Sequence, residues 1–259
     1  MFISRYGNGP RTYLGIHGWS GDHRAFLPIV ASLPEDATFY AVDLPGCGQS
    51  ADPTVWSLEA VVGSIAEAAR AIPASFTLIG HCSGALLGML AAQQLHGRIE
   101  RMLLLDVFAE WPWYFRIFLT PLVGPLAYYS TFANPIGRWL TDASLREHRT
   151  PETSLTSGFS QIRHASVYRY LRLLERFPAP ETFRDLTMPV DLIYGANTFA
   201  AVAEAVPRWQ AVWPQARAIR LDGAAHLPME EAAGALRDIL FKEGSLLTEC
   251  PIPSPTIAG

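Results

Sequence analysis

The sequence predicts an α/β fold, a mainly parallel sheet flanked by helices. Two observations carry that prediction. Short apolar runs recur along the chain, each ending in a turn and followed by a helix-prone stretch, the strand–turn–helix rhythm of parallel sheets. His17, Cys82 and Asp106 all fall at the carboxyl ends of such runs, where open α/β sheets carry their sites.

Composition narrows the class. The 259 residues are 49% hydrophobic and 17% charged, enough for one globular domain with a large core and an inserted subdomain. A formal net charge of -4 with no basic block argues against a nucleic-acid partner. Met1–Gly7 has no apolar segment of the secretory kind, and no apolar run reaches the ~18 residues of a membrane helix. Three cysteines, Cys47, Cys82 and Cys250, make no disulfide framework and fit a reducing, cytoplasmic setting.

Taken in order, Thr12–Ile16 reads as a buried strand ending in His17-Gly18-Trp19, and Asp22–Leu33 as a short helix stopped by Pro34. Thr38–Val42 is the next strand, leading into Asp43-Leu44-Pro45-Gly46-Cys47-Gly48-Gln49-Ser50. Asp43 suits a turn-ordering role there. Cys47 is either a second thiol near a pocket or a loop position that happens to be cysteine. Ser57 opens a helix with Leu58, Val61, Val62, Ile65 and Ala69 on one face, ended by Pro73.

Phe76-Thr77-Leu78-Ile79 then runs into Gly80-His81-Cys82-Ser83-Gly84 and a helix-prone run to Leu95. Strand, glycine-flanked turn and helix are the context of a nucleophile elbow, whose central residue is strained and whose neighbours two positions away must be small. Centring on Cys82 puts Gly80 and Gly84 there. Centring on Ser83 would put His81 and Ala85 there, a worse fit. Arg101–Asp106 is another buried strand. From Val107 to about Asp185 aromatics and prolines crowd in, with helix-like segments at Arg138–His148 and Gln161–Phe177. Met188–Gly195 and Ala218–Leu221 are the last strands, before the Gly-rich loop that carries His226 and a closing helix over Leu227–Lys242.

The elbow, the His-Gly-Trp loop and the late His226 together resemble the α/β-hydrolase family, over roughly residues 10 to 243, as a variant with cysteine where serine is usual. The resemblance implies a core of residues 1–106 and 186–244, with a helical cap over 107–185 inserted after the sixth strand. Residues 245–259 would be a flexible tail. It also implies backbone N–H donors to an oxyanion from Trp19 and Ser83, with His17 bracing their loop. Cys82 would be the nucleophile and His226 the base. The acid that usually stands three residues past Gly195 is absent, since the chain reads Gly195-Ala196-Asn197-Thr198. Asp106 is the preferred replacement, with Glu110 or an Asn197 orienter as alternatives. Trp111, Trp113 and Phe118 are candidates for lining an apolar substrate pocket.

The expected activity is acyl processing through a Cys82 acyl-enzyme, by a thioesterase, esterase or acyltransferase on a small-molecule or carrier-bound acyl substrate. A ligand-binding member without catalysis, or an enzyme of carbon–carbon cleavage or lyase type, are the alternatives. No cofactor is expected. His23, His96, His148 and His164 are scattered without metal-ligand spacing. Membrane contact by the cap is not expected either, because prolines interrupt any long amphipathic helix there.

Overall fold

A computed structural model of the chain describes residues 1–242; the expected tail over 245–259 and Cys250 lie outside the described residues. Seven strands form one sheet: β1 (Ile3–Gly7), β2 (Arg11–Ile16), β3 (Ala37–Val42), β4 (Phe76–His81), β5 (Ile99–Leu105), β6 (Val190–Gly195) and β7 (Arg217–Leu221). Their order is β1-β3-β2-β4-β5-β6-β7. Only β1 is antiparallel to its neighbour, β3, and the other pairs are parallel.

Side chains alternate across a strand, so a sheet covered on both faces needs apolar residues at nearly every position. β5 shows the consequence. Met102 and Leu104 enter the core on one face of the sheet, while Leu103 and Leu105 enter the core on the other. The first face is covered by helices Leu58–Arg70, Ser83–Ala92 and Ala205–Val212 and by the insertion, the second by Phe26, Ile29 and helix Ala233–Phe241.

Most boundaries agree with the sequence reading, including the Ser57 cap, whose hydroxyl accepts from the Ala60 N–H at 3.1 Å. Four points are corrected. β1 was not anticipated, because a half-exposed edge strand shows little apolar alternation. The helix expected over Asp22–Leu33 is two short turns, His23–Phe26 and Leu27–Val30, with Pro28 inside the second. The closing helix is broken at Ala232 into Pro228–Glu231 and Ala233–Phe241. The insertion follows the fifth of the seven strands, where the resemblance implied the sixth.

Between β5 and β6 the chain runs through short helical elements, the longest being Pro135–Ser144 and His164–Leu174. The second is tied to the core by its polar atoms. Tyr170 donates to the Pro45 carbonyl at 2.7 Å and Ser166 to the Asp52 carboxylate at 2.8 Å. The Val167 carbonyl accepts from the Trp19 indole at 2.9 Å. The insertion therefore sits over the loops that follow β2 and β3.

The turn after β4 is closely packed. A Cβ on Gly80 would fall 2.4 Å from the Ala85 Cα, and one on Gly84 would fall 2.2 Å from the His17 carbonyl oxygen. Both obstacles are backbone, so neither can swing aside. Gly84→Ala is expected to cost about 2–3 kcal/mol or more by overpacking, read as a lower denaturation midpoint with an unchanged slope.

Candidate active site

Cys82 stands between β4 and helix Ser83–Ala92 with φ 50° and ψ -118°. A residue with a side chain adopts positive φ only when its surroundings impose it. Here its N–H is held by the Leu105 carbonyl at 2.8 Å, which extends the β4–β5 ladder one residue past the strand. The same device recurs one strand over. Asp106, φ 47°, donates its N–H to the Ile193 carbonyl of β6 at 2.8 Å. The sheet edge thus presents Cys82 and Asp106 side by side on turns of similar conformation.

His226 arrives from the loop after β7 and lies between them. Its Nδ1 is 3.1 Å from Asp106 Oδ2, which leaves the Nε2 side toward Cys82, near enough to act on the protonation of the imidazole. Burial alone would push this imidazole's pKa down. The hydrogen bond to Asp106, the neighbouring Cys82 and the charges of both outweigh burial and raise it to about 10.

Asp106 is fully buried, and its carboxylate is well supplied with donors. Oδ1 accepts from the Gly195 N–H at 3.1 Å, and Oδ2 accepts from the Thr198 hydroxyl at 3.0 Å. Thr198 occupies the position, three residues past Gly195, where the family usually has its acid. Its hydroxyl also lies 3.4 Å from His226 Nδ1. Thr198 was passed over at the sequence level, where only the absent carboxylate was noted. Its place in the chain was the available signal.

The other acid and orienter candidates are not brought to His226. Glu110 makes an exposed ion pair with Arg208 at 2.6 Å. Asn197 is an exposed residue whose backbone carbonyl accepts from His148 Nδ1 at 3.3 Å. Cys47 is buried, and burial pushes its thiol up to about 12, which makes it inert.

Three histidines frame the site, each with a distinct role. His17 is buried, with its Nδ1–H donating to the Gly18 carbonyl at 2.8 Å and its Nε2 accepting from the Leu44 N–H at 3.0 Å. Those partners define a neutral tautomer, and burial lowers its pKa accordingly. It braces the loop that carries Trp19. His81, whose pKa burial lowers to about 4, donates from Nε2 to the His226 carbonyl at 3.1 Å. The third is the site imidazole itself. Glu231 holds the loop on either side of it. Its Oε2 accepts from the Ala225 N–H at 2.7 Å and the Leu227 N–H at 3.0 Å. Its Oε1 accepts from the Thr150 N–H at 2.9 Å and the Thr153 hydroxyl at 2.8 Å, tying the same carboxylate to the insertion.

Trp19 and Ser83, the expected oxyanion donors, flank the elbow. Ser83 opens its helix, so its N–H has no intrahelical acceptor. A Cβ on Gly18 would lie 3.3 Å from the Cys82 Cβ, which places the Trp19 loop directly against the nucleophile position. The Trp19 indole is clamped among Phe115, Phe132 and Phe159 at ring-centre distances of 5.6, 5.1 and 4.9 Å.

The expected pocket residues divide. Trp111 is half-buried and stacks near Phe115 at 4.9 Å. Phe118 packs inside the insertion against Phe132 at 5.3 Å. Trp113 is 78% exposed and turns to solvent, so its expected place in a pocket wall is corrected. A residue not anticipated stands nearer the reacting groups. Phe199 lies 4.7 Å from the His226 ring and 4.5 Å from His148.

One group meets the distance requirement of a metal site. Donor atoms of Asp22, His23 and Asp43 lie within 4.8 Å of one another. Each has a partner within the chain, however. Asp22 pairs with Arg24 at 2.6 Å, and Asp43 accepts from His23 Nδ1 at 2.8 Å and from the Gln49 N–H at 2.7 Å. The trio is a turn-ordering network.

The pattern of the Alpha/beta hydrolase family matches residues 14–239, and the chain belongs to that family. Among relatives, a pimeloyl-acyl-carrier-protein methyl ester esterase of Nitrosomonas europaea is 26% identical over 241 residues, 88% of this chain and 93% of that protein. One of the same name from Xylella fastidiosa is 28% identical over 244 residues, 88% and 92% of the two chains. In structure, the chain is similar to an esterase from Exiguobacterium antarcticum, with TM-score 0.77, 12% identity, and 92% and 93% of the two chains covered. It is also similar to an enol-lactonase from Burkholderia xenovorans, with TM-score 0.73, 19% identity, and coverage of 92% and 94%. At such identities the structural likeness speaks for the fold alone.

Two predictions follow from this geometry. Glu231→Ala removes four hydrogen bonds to a carboxylate and is expected to cost about 2–4 kcal/mol, measurable by chemical denaturation. His226, followed by imidazole proton NMR, is expected to keep its proton until the pH approaches 10, and in Asp106→Asn to lose it at lower pH. Because its folded pKa of about 10 lies above the unfolded 6.5, the associated stability is complete below about 6.5 and fades as pH rises through 10.

Proposed function

We propose that the protein is an esterase-class acyl hydrolase that works through an acyl-enzyme on Cys82. The observation that carries this is the 3.1 Å contact of His226 Nδ1 with Asp106, beside a Cys82 held at positive φ in the turn after β4. In this reading the Cys82 thiol proton already rests on His226 before the substrate arrives, and Asp106 orients and stabilises the imidazolium. Thr198 fixes the carboxylate rotamer. The thiolate attacks the acyl carbonyl, and the tetrahedral oxyanion is received by the N–H groups of Trp19 and Ser83. His226 then returns its proton to the leaving alkoxide or thiolate. Water, activated by the same imidazole, cleaves the Cys82 thioester and frees the acid.

The relatives' names support the esterase class and suggest a carrier-bound acyl ester as substrate. Apolar surface near the site, from Phe199 and Phe108 beside His226, suits an acyl or aromatic group. Cysteine adds a condition. A thiolate leaves a tetrahedral intermediate more readily than an alkoxide does. An oxygen ester is therefore cleaved only if His226 protonates the alkoxide, whereas a thioester has no such handicap. That favours thioesters and activated esters, and transfer to a second nucleophile instead of water is open to the same thioester intermediate. The ligand-binding reading was motivated by the missing carboxylate after Gly195. Asp106, 3.1 Å from the imidazole, removes that motive.

The test is incubation with a p-nitrophenyl acyl ester and an acyl thioester, followed by intact-mass measurement. An acyl adduct on the wild-type chain is expected, with both adduct and turnover lost in Cys82→Ala. Turnover unchanged in Cys82→Ala would overturn the mechanism. Cys82→Ser is expected to shift preference toward the oxygen ester.

A further inference from the structure

We infer that the outer surface of the insertion, residues 113–140, seats the protein on an anionic lipid surface. The inference is independent of the acyl hydrolase reading. Among the described residues, thirteen large apolar side chains are exposed, and ten of them fall between Trp113 and Leu140. Scattered apolar residues are normal on a soluble protein, but such a concentration is not.

Helix Pro135–Ser144 is built inside out. Ile136, Trp139 and Leu140 stand at i, i+3 and i+4 and share one face, and that face is exposed, with Trp139 at 68%. No residue of the helix is buried. The polar side chains are the ones that turn toward the protein. Arg138 donates to the carbonyls of Phe132 and Ala133 at 3.2 and 3.1 Å. Asp142 accepts from the Thr156 hydroxyl at 3.0 Å and from Ser154. An amphipathic helix whose charged residues are satisfied within the chain and whose apolar stripe faces outward is arranged for an apolar neighbour.

The preceding elements continue the surface. Gly124 packs against the Phe118 carbonyl and Gly137 against the Ser130 carbonyl, at distances where a Cβ would not fit, so these short segments form one close-packed block. At its turn Leu122 is held at φ 65°, costly for a leucine, with its side chain 94% exposed. Leu126, one turn on, is exposed as well. The prolines do prevent one long amphipathic helix, which was the reason for not expecting membrane contact. The structure replaces that helix with several short elements whose apolar side chains still reach solvent.

Composition and charge select the occupant. Tryptophan and tyrosine beside leucine and isoleucine are the residues of a membrane–water interface. Residues 111–141 hold two arginines and no acidic residue, whereas the remainder of the chain carries -6; Arg138 is engaged by the Phe132 and Ala133 carbonyls, so the cation this surface offers to a neighbour is the exposed Arg116. This asymmetry turns the insertion toward an anionic surface and the rest of the chain away from it.

The experiment is flotation of the full chain with vesicles of phosphatidylglycerol and phosphatidylcholine, and with vesicles of phosphatidylcholine alone. Binding is expected to be stronger on the anionic vesicles. The double variant Leu122→Asp/Trp139→Asp is expected to bind roughly tenfold more weakly or worse. Val55→Asp, at an exposed apolar position outside the block, is expected to bind as wild type. Thermal melting of each variant establishes that it is folded. Absence of flotation by the wild type, flotation unchanged in the double variant, or equal binding to both vesicle types would overturn the inference. So would a lipid-free dimer that the double variant splits, because the patch would then belong to a second copy.

Discussion

A fully buried carboxylate has to be compensated where it stands, and the carboxyl edge of this sheet is organised around that requirement at Asp106. A lone buried anion is among the most costly features a fold can hold. Asp106 receives the Gly195 N–H, the Thr198 hydroxyl and the His226 imidazole. Each donor comes from β6, the loop after it, or the loop after β7, so three separated parts of the chain are drawn to one point. The same contacts fix His226 relative to Cys82. Glu231 completes the arrangement by holding the N–H groups on both sides of His226 and reaching the insertion with its other oxygen. Disturbing the insertion near Thr150 would thus be felt at the imidazole, through Glu231 and through the His226 N–H, which donates to the His148 carbonyl at 3.3 Å.

The register of the strands explains why an acid can move from one strand end to the next. β4 and β5 are paired so that His81 lies opposite Leu105, and β5 and β6 so that Leu105 lies opposite Ile193. Cys82 and Asp106 each continue the ladder by one hydrogen bond into a positive-φ turn. The Asp106 carboxylate just past β5 and the Thr198 hydroxyl in the loop after β6 meet at the same imidazole nitrogen. Thr198 shows the trade directly, since its hydroxyl touches both Asp106 and His226 from the position the usual acid would occupy.

The parts of the fold and site that local chemistry dictates were legible in the sequence. Gly80 and Gly84 announce the elbow because backbone closes on them from two sides. Asp106 was named, but only the structure could separate it from Glu110 and Asn197, because that choice depends on which strand ends lie adjacent. Phe199 could not be read as a neighbour of His226, since it reaches the imidazole from a loop of no regular period. The insertion was legible as aromatic and helical, not as inside out. A 3.6-residue period reports that a helix has an apolar side and says nothing about which side meets the protein.

On the proposed reading, cysteine and the raised pKa of His226 belong together. With its pKa near 10, the imidazole readily accepts the thiol proton and gives it up less readily to a departing alkoxide. A serine enzyme built on the same frame gains less from such a strong base at rest, because its alkoxide is too basic to persist beside an imidazolium. A thiolate is a far weaker base than an alkoxide, so Asp106 can stabilise the imidazolium without stalling the first step. The cost falls on the second step, protonation of the leaving group, and it is smallest when that group is a thiolate that needs no proton. The buried anion that organises the site therefore also biases its chemistry, toward acyl groups with good leaving partners and away from simple alkyl esters.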